Sequence, residues 1–370
     1  MSKKLNVAIV GLGFGAEFIP IYQRHPHTTM YAICQRTRSK LDEIGNGFGI
    51  EKRYTNFEEL LKDPNVDAVH INSPIDDHAR MSIAALKAGK HVASTVPMAR
   101  TLEECWQVVE AQRASGKKYM MMETAVYTRE FLFVKELRDA GKLGRLQFVR
   151  AAHHQEMAAG NWPSYWPGMP PMHYATHCVG PCLALTGKPA DYVSCFGSGR
   201  INDDLAAKYG SPFAVETTHI KLKDSDLSAE ISRSLYNTAR EYVESFDAYG
   251  SLATFEWQQI EKEDPAVFVG EKAERVKVPD YARLLPEPIQ RFTTQGVYDM
   301  SEHTHMSFIQ GSGHGGSHPH LVHEFVMSIV EDREPFPNAA QSANWTSVGI
   351  CAHESAFAGG AIVKVPDYKV

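Results

Sequence analysis

The sequence predicts an α/β domain built on a parallel sheet, followed by an α+β domain with a large, mostly antiparallel sheet. Two observations carry this prediction. Short apolar strands alternate with helical patterns over residues 1–123, which is typical of a parallel sheet covered on both faces. Residues 124–370 instead carry long runs of alternating polar and apolar residues, which are typical of an antiparallel sheet with one solvated face. We therefore predict two domains, 1–123 and 124–370.

The elements of the first domain follow from its apolar segments. Five strands are predicted, at Leu5–Val10, Met30–Cys34, Val66–Asn72, Lys90–Ser94 and Lys118–Met122. Helical patterns lie between them at Phe57–Lys62, His78–Ala88 and Leu102–Ser115.

The second domain begins with a predicted helix, Arg129–Ala140, which ends before Gly141. Strands are then predicted at Leu146–Gln155, Tyr192–Gly197, Ala214–Leu222, Leu227–Tyr236 and Ser245–Trp257. The proline-rich segment Glu261–Met306 is predicted to be a long connection, and helices return at His320–Glu331 and Asn344–Ala358. We expect a ligand in the crevice between the two domains.

Composition excludes several classes of partner. The chain has 370 residues, enough for two packed cores, and a net charge of −6, which gives no basic excess for a phosphate backbone. It has no apolar run of the roughly 18 residues that a membrane helix needs. The six cysteines form no CxxC pair, which favours a reduced, cytoplasmic protein. We expect a small-molecule partner, no nucleic acid and no membrane, and a homo-oligomer, either a dimer or a tetramer.

A glycine-rich motif follows the first strand directly and opens a helix. In a dinucleotide-binding turn, Gly11 would make the tight bend, Gly13 would let the backbone approach the pyrophosphate, and Ala16 would allow close packing of helix and strand. Phe14 and Gly15 complete the motif, whose free N–H groups would face the phosphates. The motif indicates a Rossmann domain that binds a nicotinamide dinucleotide. Pro20 is expected to bend the helix that follows.

The end of the second strand bears on the choice of cofactor. An acidic residue usually binds the ribose 2′-OH there, but this chain has Gln35, which can still bond to a hydroxyl. The next residue, Arg36, could stack on adenine or meet a 2′-phosphate. We predict NAD as the cofactor, with NADP as the alternative.

Together with the glycine loop, two further motifs resemble the Gfo/Idh/MocA oxidoreductases, the family of glucose-fructose oxidoreductase and inositol dehydrogenase. One is Ser73-Pro74 with His78, and the other is the segment 88–92 leading to Thr95-Val96-Pro97. The resemblance places Ser73, Pro74, His78, Thr95 and Pro97 beside the cofactor. That family usually has Glu-Lys-Pro at the last motif, with a catalytic lysine, whereas here Thr95 replaces the glutamate and Val96 replaces the lysine.

The second domain resembles one branch of that family, the NAD-dependent α-N-acetylgalactosaminidases. The segments that carry this resemblance are 120–123 with Tyr127 and Arg129, 174–181, 313–316 and 343–345. The resemblance implies that Tyr127 and His177 occupy catalytic positions and that Thr95 lies near the substrate.

His177 is the first candidate for proton transfer. A histidine with a pKa near neutrality suits removal of a proton from a sugar hydroxyl during hydride loss. His173 lies four residues earlier, so on one helix the two would share a face, and His173 could orient the substrate or tune His177. Tyr127 could act as acid or base if a neighbouring cation lowered its pKa. A structural role is the alternative for each of these residues.

Further candidates could contact the substrate. Trp162 and Trp166 could stack on a sugar face or simply pack their proline-rich loop. His314 and His318 belong to a dense histidine cluster next to a glycine-rich loop, for which we expect polar contacts with the substrate. The spacing of His318, His320 and His323 could also ligate a metal, but we predict no metal because an acidic partner is almost absent nearby.

Three functions remain open from the sequence. The first is oxidation of a sugar or glycoside at a ring carbon, C3 in our prediction, to give a 3-keto glycoside. The second is a redox-neutral glycosidase that oxidises, eliminates the aglycone, adds water and then reduces. The third is a nucleotide-binding sensor without catalysis, which absence of the lysine favours and the cluster of histidine, tyrosine and other aromatic residues disfavours.

Overall fold

A computed structural model describes residues 4–157, 169–238, 242–260, 263–294 and 313–368. The strands of the first domain are β1 Leu5–Val10, β2 Thr28–Cys34, β3 Lys52–Tyr54, β4 Ala68–Ile71, β5 His91–Ser94 and β6 Tyr119–Met121. They form a six-stranded, fully parallel sheet in the order β3-β2-β1-β4-β5-β6. The strand order reverses between β1 and β4, so ligands are expected at the carboxyl ends of these two strands. The predicted parallel sheet is confirmed.

Helices cover both faces of this sheet. They span Ile19–Arg24, Arg38–Gly47, Phe57–Leu61, His78–Lys87 and Leu102–Ser115. The edge strand β3 was not predicted, because it has only three residues and none is buried. The prediction that Pro20 bends a helix was also wrong. The chain passes through a 3₁₀ turn at Gly15–Phe18, and Pro20 lies in the first turn of the α-helix, where its missing N–H would have had no partner.

The second domain is built on a larger sheet of nine strands. The strands are β7 Leu146–Gln155, β8 Ala190–Ser198, β9 Val215–Leu222, β10 Ser228–Ser234, β11 Tyr242–Gly250, β12 Thr254–Glu256, β13 Ala266–Val269, β14 Lys272–Arg275 and β15 Val363–Lys364. Their order is β14-β13-β12-β11-β7-β10-β9-β8-β15. All neighbours are antiparallel except β7 and β10, which confirms the mostly antiparallel prediction.

Two details of this sheet differ from the prediction. The run Ser245–Trp257 is two strands, because the chain turns after Gly250, where a Cβ atom would lie 2.1 Å from the carbonyl oxygen of Leu143. The predicted connection between residues 261 and 306 contains the hairpin of β13 and β14. The hairpin was missed because neither of its strands is buried and so neither shows a strong alternating pattern.

Helices of the second half pack on both domains. They span Arg129–Asp139, Thr176–Thr186, Asp203–Tyr209, Glu287–Gln290, Gly313–Val330 and Ala339–Phe357. Leu321 and Phe325 belong to the same buried core as Val7 and Ile9 of β1, while helix Ala339–Phe357 contacts both β8 and helix Leu102–Ser115. The C-terminal helices therefore hold the two sheets in a fixed relation. Within the described ranges, no helix combines the length and the apolar character needed to cross a bilayer.

Candidate active site

The glycine loop after β1 has the shape that a dinucleotide requires. Gly11 has φ = 84°, and a Cβ atom there would lie 2.3 Å from the carbonyl oxygen of Asn72. At Gly15 a Cβ atom would lie 2.9 Å from a methyl group of Ile9, so this glycine makes the close approach of turn and strand that we had assigned to Ala16. Gly13 is exposed, and a Cβ atom there would meet nothing within 4 Å. The open space over Gly13 is where a pyrophosphate fits.

Gln35 has a contact that its sequence position did not reveal. Its side-chain oxygen accepts a hydrogen bond of 3.0 Å from the backbone N–H of Leu12, so Gln35 ties the end of β2 to the glycine loop. Arg36, the next residue, is exposed. Contacts of Gln35 and Arg36 with the cofactor ribose stay predictions.

The loops after β4 and β5 are held together by His78. The ring nitrogens of this buried side chain lie 2.8 Å from the carbonyl oxygen of Pro97 and 2.9 Å from that of Ser73. The Thr95 hydroxyl lies 3.3 Å from Nε2 of the same ring, beside the carbonyl oxygen of Ile71. His78 thus shapes the wall of the cofactor crevice from behind. Direct cofactor contacts by Ser73, Pro74, Thr95 and Pro97 stay predictions.

His177 forms a buried pair with Glu123. The Nδ1 atom of His177 lies 2.6 Å from Oε1 of Glu123, which also accepts a hydrogen bond of 3.0 Å from the N–H of Ala125. The other ring nitrogen, Nε2, lies 3.3 Å from the Tyr174 hydroxyl. Because Glu123 is a hydrogen-bond acceptor, the Nδ1 atom of His177 carries the proton, and Nε2 is left as the basic atom. This is the arrangement by which a carboxylate orients a histidine base.

Three strands of the second sheet place a row of polar residues beneath this pair. His153 of β7 lies opposite Glu244 of β11 on one side and Arg233 of β10 on the other. Oε1 of Glu244 lies 3.6 Å from Nε2 of His153 and 3.9 Å from Nδ1 of His177, and it accepts a hydrogen bond from the Tyr242 hydroxyl.

Arg233 is fully buried at one end of this row. Its guanidinium donates to the carbonyl oxygens of Tyr174 (2.7 Å) and His153 (2.8 Å), to that of Ser234, and to the side-chain oxygen of Gln155 (2.6 Å). These four acceptors join the turn that carries Tyr174 to β7 and β10. The guanidinium therefore fixes the backbone from which the Tyr174 hydroxyl reaches His177.

The charges of the cluster set the protonation of His177. Burial alone lowers the pKa of His177, but the carboxylates of Glu123 and Glu244 raise it by more, so the pKa lies above its usual value. Burial raises the pKa of Glu244 and lowers the pKa of Arg233 to about 10, which leaves the guanidinium charged at neutral pH.

The same cluster offers three ligand atoms to a cation. Atoms of His153, His177 and Glu244 lie within 4.8 Å of one another. However, Glu244 already interacts with the charged Arg233 guanidinium, and Glu123 and Glu244 both interact with the His177 imidazole, whose pKa is raised, so the cluster can balance its charge without a cation. We therefore keep the prediction that the site holds no metal.

Two of the predicted catalytic residues have other surroundings. His173 lies in a 3₁₀ turn, Pro171–Tyr174, and His177 lies in the helix that begins at Thr176, so the predicted shared helical face does not exist. His173 instead packs against His353, with ring centroids 5.1 Å apart, and burial lowers its pKa to about 3. The residue that approaches His177 from this turn is Tyr174.

Tyr127 has a raised pKa, whereas we expected an acid or base at this position to have its pKa lowered by a neighbouring cation. Its hydroxyl donates a hydrogen bond of 2.7 Å to the carbonyl oxygen of Phe336. Burial, and secondarily the carboxylate of Glu324, raises the pKa of Tyr127 well above its usual value, with only a minor opposing effect from Arg333. The phenol therefore stays protonated at neutral pH and acts as a link between the two halves of the chain.

His314 and His318 connect the glycine loop to His177. Nδ1 of His314 lies 3.2 Å from Nε2 of His318. The His314 ring is 5.7 Å from that of Phe14 and lies nearly parallel to the His177 ring, 6.3 Å away. His314 is thus at the meeting point of the predicted cofactor and substrate regions. Trp162 and Trp166 lie outside the described residues.

The histidines between His318 and His323 contact different partners. Nδ1 of His318 lies 3.3 Å from Oε2 of Glu17, whereas Nδ1 of His323 lies 3.0 Å from Nε2 of His25. The metal-like spacing of His318, His320 and His323 therefore does not bring them to a common centre.

The sequence analysis missed Glu123, His153, Arg233 and Glu244 as site residues. His153, Arg233 and Glu244 could have been recognised from the sequence. Each lies in a strand two residues away from a buried apolar residue, and so on the inward face. Arg233 follows Ile231 and Ala229, and Glu244 precedes Phe246 and Ala248 on the inward face. A charged residue at an inward strand position indicates a buried polar site.

A comparison with known proteins agrees with the nucleotide-binding geometry. Residues 5–123 match the model of the Gfo/Idh/MocA oxidoreductase family, described as having an NAD-binding Rossmann fold. The N-terminal domain belongs to this family. Its cofactor is accordingly NAD, as predicted.

Relatives of the family also match beyond this domain. An alpha-N-acetylgalactosaminidase from Shewanella oneidensis is 29% identical over 262 residues, which cover 64% of this chain and 57% of the relative. A glycosyl hydrolase family 109 protein from Shewanella sp. strain MR-4 is 31% identical over 255 residues, covering 62% and 56%. The chain thus spans little more than half the length of these relatives.

Solved structures of the family share the whole two-domain fold. Levoglucosan dehydrogenase in complex with NADH and levoglucosan has a TM-score of 0.80 at 21% identity, covering 98% of this chain and 100% of that one. An NAD-binding oxidoreductase from Klebsiella pneumoniae also has a TM-score of 0.80, at 20% identity, covering 98% and 99%. The pairing of a parallel sheet with a large antiparallel sheet is therefore shared with these solved structures.

The open space at Gly13 generates a prediction with a matched control. Gly13→Val should abolish NAD binding while leaving the fold intact, because the new side chain meets only the space meant for pyrophosphate. Gly47→Val also places its Cβ atom in open space, on the exposed end of a helix far from this loop, and should bind NAD normally. Calorimetry with NAD measures both. Unchanged affinity in Gly13→Val would contradict this placement.

The burial of Arg233 generates a second prediction. Arg233→Lys keeps the charge but cannot reach all four acceptors, so the free energy of unfolding should fall by about 2–4 kcal/mol. Arg145→Lys, at a side chain that is 72% exposed, should change it by less than about 0.5 kcal/mol. Urea denaturation compares the two, and equal effects would show that the four bonds contribute little.

Proposed function

We propose that this chain is an NAD-dependent oxidoreductase that removes a hydride from a ring carbon of a sugar or glycoside, with His177 as the base. The observation that carries this proposal is the Glu123–His177 pair, whose ring faces His314 next to the nucleotide loop. Bound NAD would supply hydride acceptance and, in the reverse direction, hydride return. The protein's part is to hold the substrate hydroxyl and to move its proton.

The local chemistry of His177 suits this task. With Nδ1 held by Glu123, the lone pair on Nε2 can accept the hydroxyl proton as the hydride leaves the carbon. The imidazolium formed is stabilised by Glu123 at 2.6 Å and by Glu244 at 3.9 Å. The Tyr174 hydroxyl, 3.3 Å from Nε2, can orient the same substrate oxygen.

Loss of the family's usual lysine supports this role for His177. Val96 occupies the position of that lysine. Its side chain is apolar, 7% exposed and packed in the core, so it can neither take nor give a proton. The base has to come from another element. His177 on helix Thr176–Thr186 supplies an imidazole with a pKa above its usual value, opposite the same crevice.

The substrate class is proposed from the relatives. Levoglucosan dehydrogenase and scyllo-inositol dehydrogenase, which share the fold, are named for polyhydroxylated substrates. We place the oxidation at C3 of the sugar ring, which gives a 3-keto glycoside.

The second candidate is a redox-neutral glycosidase that begins with the same oxidation. It is favoured by relatives named alpha-N-acetylgalactosaminidase and glycosyl hydrolase family 109 protein. A ketone at C3 makes the C2–H acidic, so that the aglycone can be eliminated, water added and the hydride returned. The two candidates differ in one observable, the net accumulation of NADH.

The central prediction concerns His177. His177→Ala should lose about 10² to 10⁴ in kcat, equivalent to about 3–5 kcal/mol of transition-state stabilisation, while NAD affinity stays unchanged. Single-turnover absorbance at the NADH band, measured across a panel of glycosides with the released sugar analysed in parallel, tests it. Stoichiometric NADH supports net oxidation, and free sugar without NADH accumulation supports the glycosidase.

The matched control is His219→Ala, which removes an exposed histidine from β9. It should behave as the wild type in every assay. Wild-type NADH formation by His177→Ala would contradict the assignment of the base. A wild type that binds NAD but transfers no hydride to or from any glycoside would indicate the non-catalytic sensor.

A pH dependence follows from the raised pKa of His177. Oxidation needs neutral His177, so kcat/KM should fall as the pH falls through that raised pKa. Glu123→Gln removes a carboxylate that raises the pKa, and the acid limb should therefore move to lower pH. Glu244→Gln should move it less, because Glu244 is 3.9 Å from Nδ1 instead of 2.6 Å. An acid limb that stays in place in Glu123→Gln would exclude His177 as its source.

A further inference from the structure

A second group of buried titratable residues extends from the crevice into the first domain. It contains Glu17, in the turn after the glycine loop, and His318 and His314, at the start of the helix Gly313–Val330. Glu17 is 2% exposed and His318 is 1% exposed. The residues come from opposite ends of the chain, and the oxidation proposed above uses none of them.

The three side chains form a continuous path. Oε2 of Glu17 lies 3.3 Å from Nδ1 of His318, and Nε2 of His318 lies 3.2 Å from Nδ1 of His314. The first contact is at ion-pair distance but lacks hydrogen-bond alignment, so proton transfer along the path requires the Glu17 carboxyl to rotate. The path ends at the His314 ring, which lies nearly parallel to the His177 ring at 6.3 Å.

The backbone holds His314 in this position at some cost. His314 has φ = 43° and ψ = 65°, a left-handed conformation that a side chain with a Cβ atom rarely adopts. Arg129 fixes the loop by donating to the carbonyl oxygens of Gly315 (3.3 Å) and Thr293 (3.2 Å). A strained residue held by charged hydrogen bonds indicates that the position of this ring matters.

Glu17 is an unusual end for such a path. Among the described residues its second oxygen, Oε1, has no hydrogen-bond partner, although the carboxyl is buried. His318 on the C-terminal helix contacts the carboxyl directly. The titratable groups beyond it are His314, which contacts His318, His70 on β4, which interacts electrostatically with His318, and Tyr22, which contacts His70. None of these is a fixed cation, so the carboxyl can take up a proton without breaking a permanent ion pair.

We propose that Glu17, His318 and His314 form a proton-transfer chain in which His314 is a second acid–base group facing His177 and Glu17 stores the proton. The inference rests on the proposed oxidation, which turns the substrate hydroxyl into a ketone. His314 is the catalytic residue, and His318 and Glu17 are positioning residues that act through it.

The proton balance of the chain is simple. A C–H bond next to the new ketone breaks, its electron pair stays on the substrate as an enolate, and the proton goes to Nε2 of His314. The Nδ1 proton of His314 passes to Nε2 of His318, and the Nδ1 proton of His318 passes to Oε2 of Glu17. The negative charge thus moves from Glu17 to the substrate, and the reverse sequence returns the proton.

The environments of these groups suit storage of a proton near neutral pH. Burial raises the pKa of Glu17 to about 8, so both its forms are accessible. Burial lowers the pKa of His318 to about 3, so His318 passes a proton on without holding it. A store inside the protein suits a reaction in which the same proton is later returned to the sugar.

The first test needs neither substrate nor cofactor. In ¹⁵N NMR of the full chain, the ring signals of His314 and His318 should shift together with a midpoint near the Glu17 pKa of about 8. Glu17→Gln should abolish that step, while Glu43→Gln, at an exposed carboxyl on another helix, should leave it unchanged. If Glu17→Gln does not fold, His318→Gln interrupts the same path and should uncouple His314 from the titration. A His314 titration that ignores both variants would overturn the chain.

The second test separates this chain from the oxidation itself. With a glycoside that the wild type oxidises, Glu17→Gln and His314→Gln should slow deuterium exchange from D₂O at the carbon beside the ketone by about 10²-fold. That loss should exceed any loss in single-turnover NADH formation, and Glu43→Gln should show neither loss. Equal losses in both steps would overturn the proposal. Absence of NADH in the wild type would instead contradict the oxidation, with the NMR coupling unaffected.

Discussion

Burial of the Arg233 guanidinium is the interaction on which the second half of the site depends. A charged group without contact with water is tolerated only when its donors are satisfied, and here four acceptors surround it. Those acceptors belong to β7, β10 and the turn before helix Thr176–Thr186, so Arg233 adds a polar link to the apolar packing that holds this helix against the sheet. Burial raises the pKa of the Glu244 carboxyl, and the positive charge of Arg233 partly opposes that rise.

The same electrostatics bear on the catalytic lysine that the Gfo/Idh/MocA resemblance implies at position 96 and that this chain lacks. A lysine at position 96 would bring a cation to the first domain's side of the crevice, whereas Val96 is apolar and buried. The compensating positive charge comes from the other domain, as a guanidinium that stays charged and an imidazole whose pKa is raised by carboxylates. In the proposed function, proton transfer is accordingly assigned to the His177 imidazole and not to a lysine.

The sequence predicted the parts of the fold that have strong local patterns. The glycine motif and the buried parallel strands were identified because an apolar run such as Leu5–Val10, followed at once by a glycine-rich turn, is specific to the start of a dinucleotide-binding domain. The short strand β3 and the exposed hairpin of β13 and β14 were missed because they bury no apolar face. His177 was predicted as a site residue through a family resemblance, but its carboxylate partner was not predicted, because pairing of residues 123 and 177 depends on how two domains meet. The contacts of His173 and Tyr127 could not be predicted for a similar reason: a single turn boundary after Tyr174 and a single carbonyl group at Phe336 decide what those side chains contact. Their catalytic roles stay predictions.

Two histidines face each other across the crevice, and their environments push their chemistry in opposite directions. His177 is paired with carboxylates, so its pKa is raised and its imidazolium is stabilised. His314 is linked through a neutral His318 to a carboxyl whose pKa burial raises to about 8, so near neutral pH Glu17 can accept a proton in its ionised form and return it in its protonated form. Separation of acid–base properties by environment is how one site assigns different steps to similar groups.

A dehydrogenase that only oxidises a hydroxyl needs the first of these histidines, whereas a reaction that also removes and restores a C–H proton needs both. The proposed path from His314 to Glu17 therefore matters only to the redox-neutral candidate, so the tests of that path also bear on the choice between the two proposed functions.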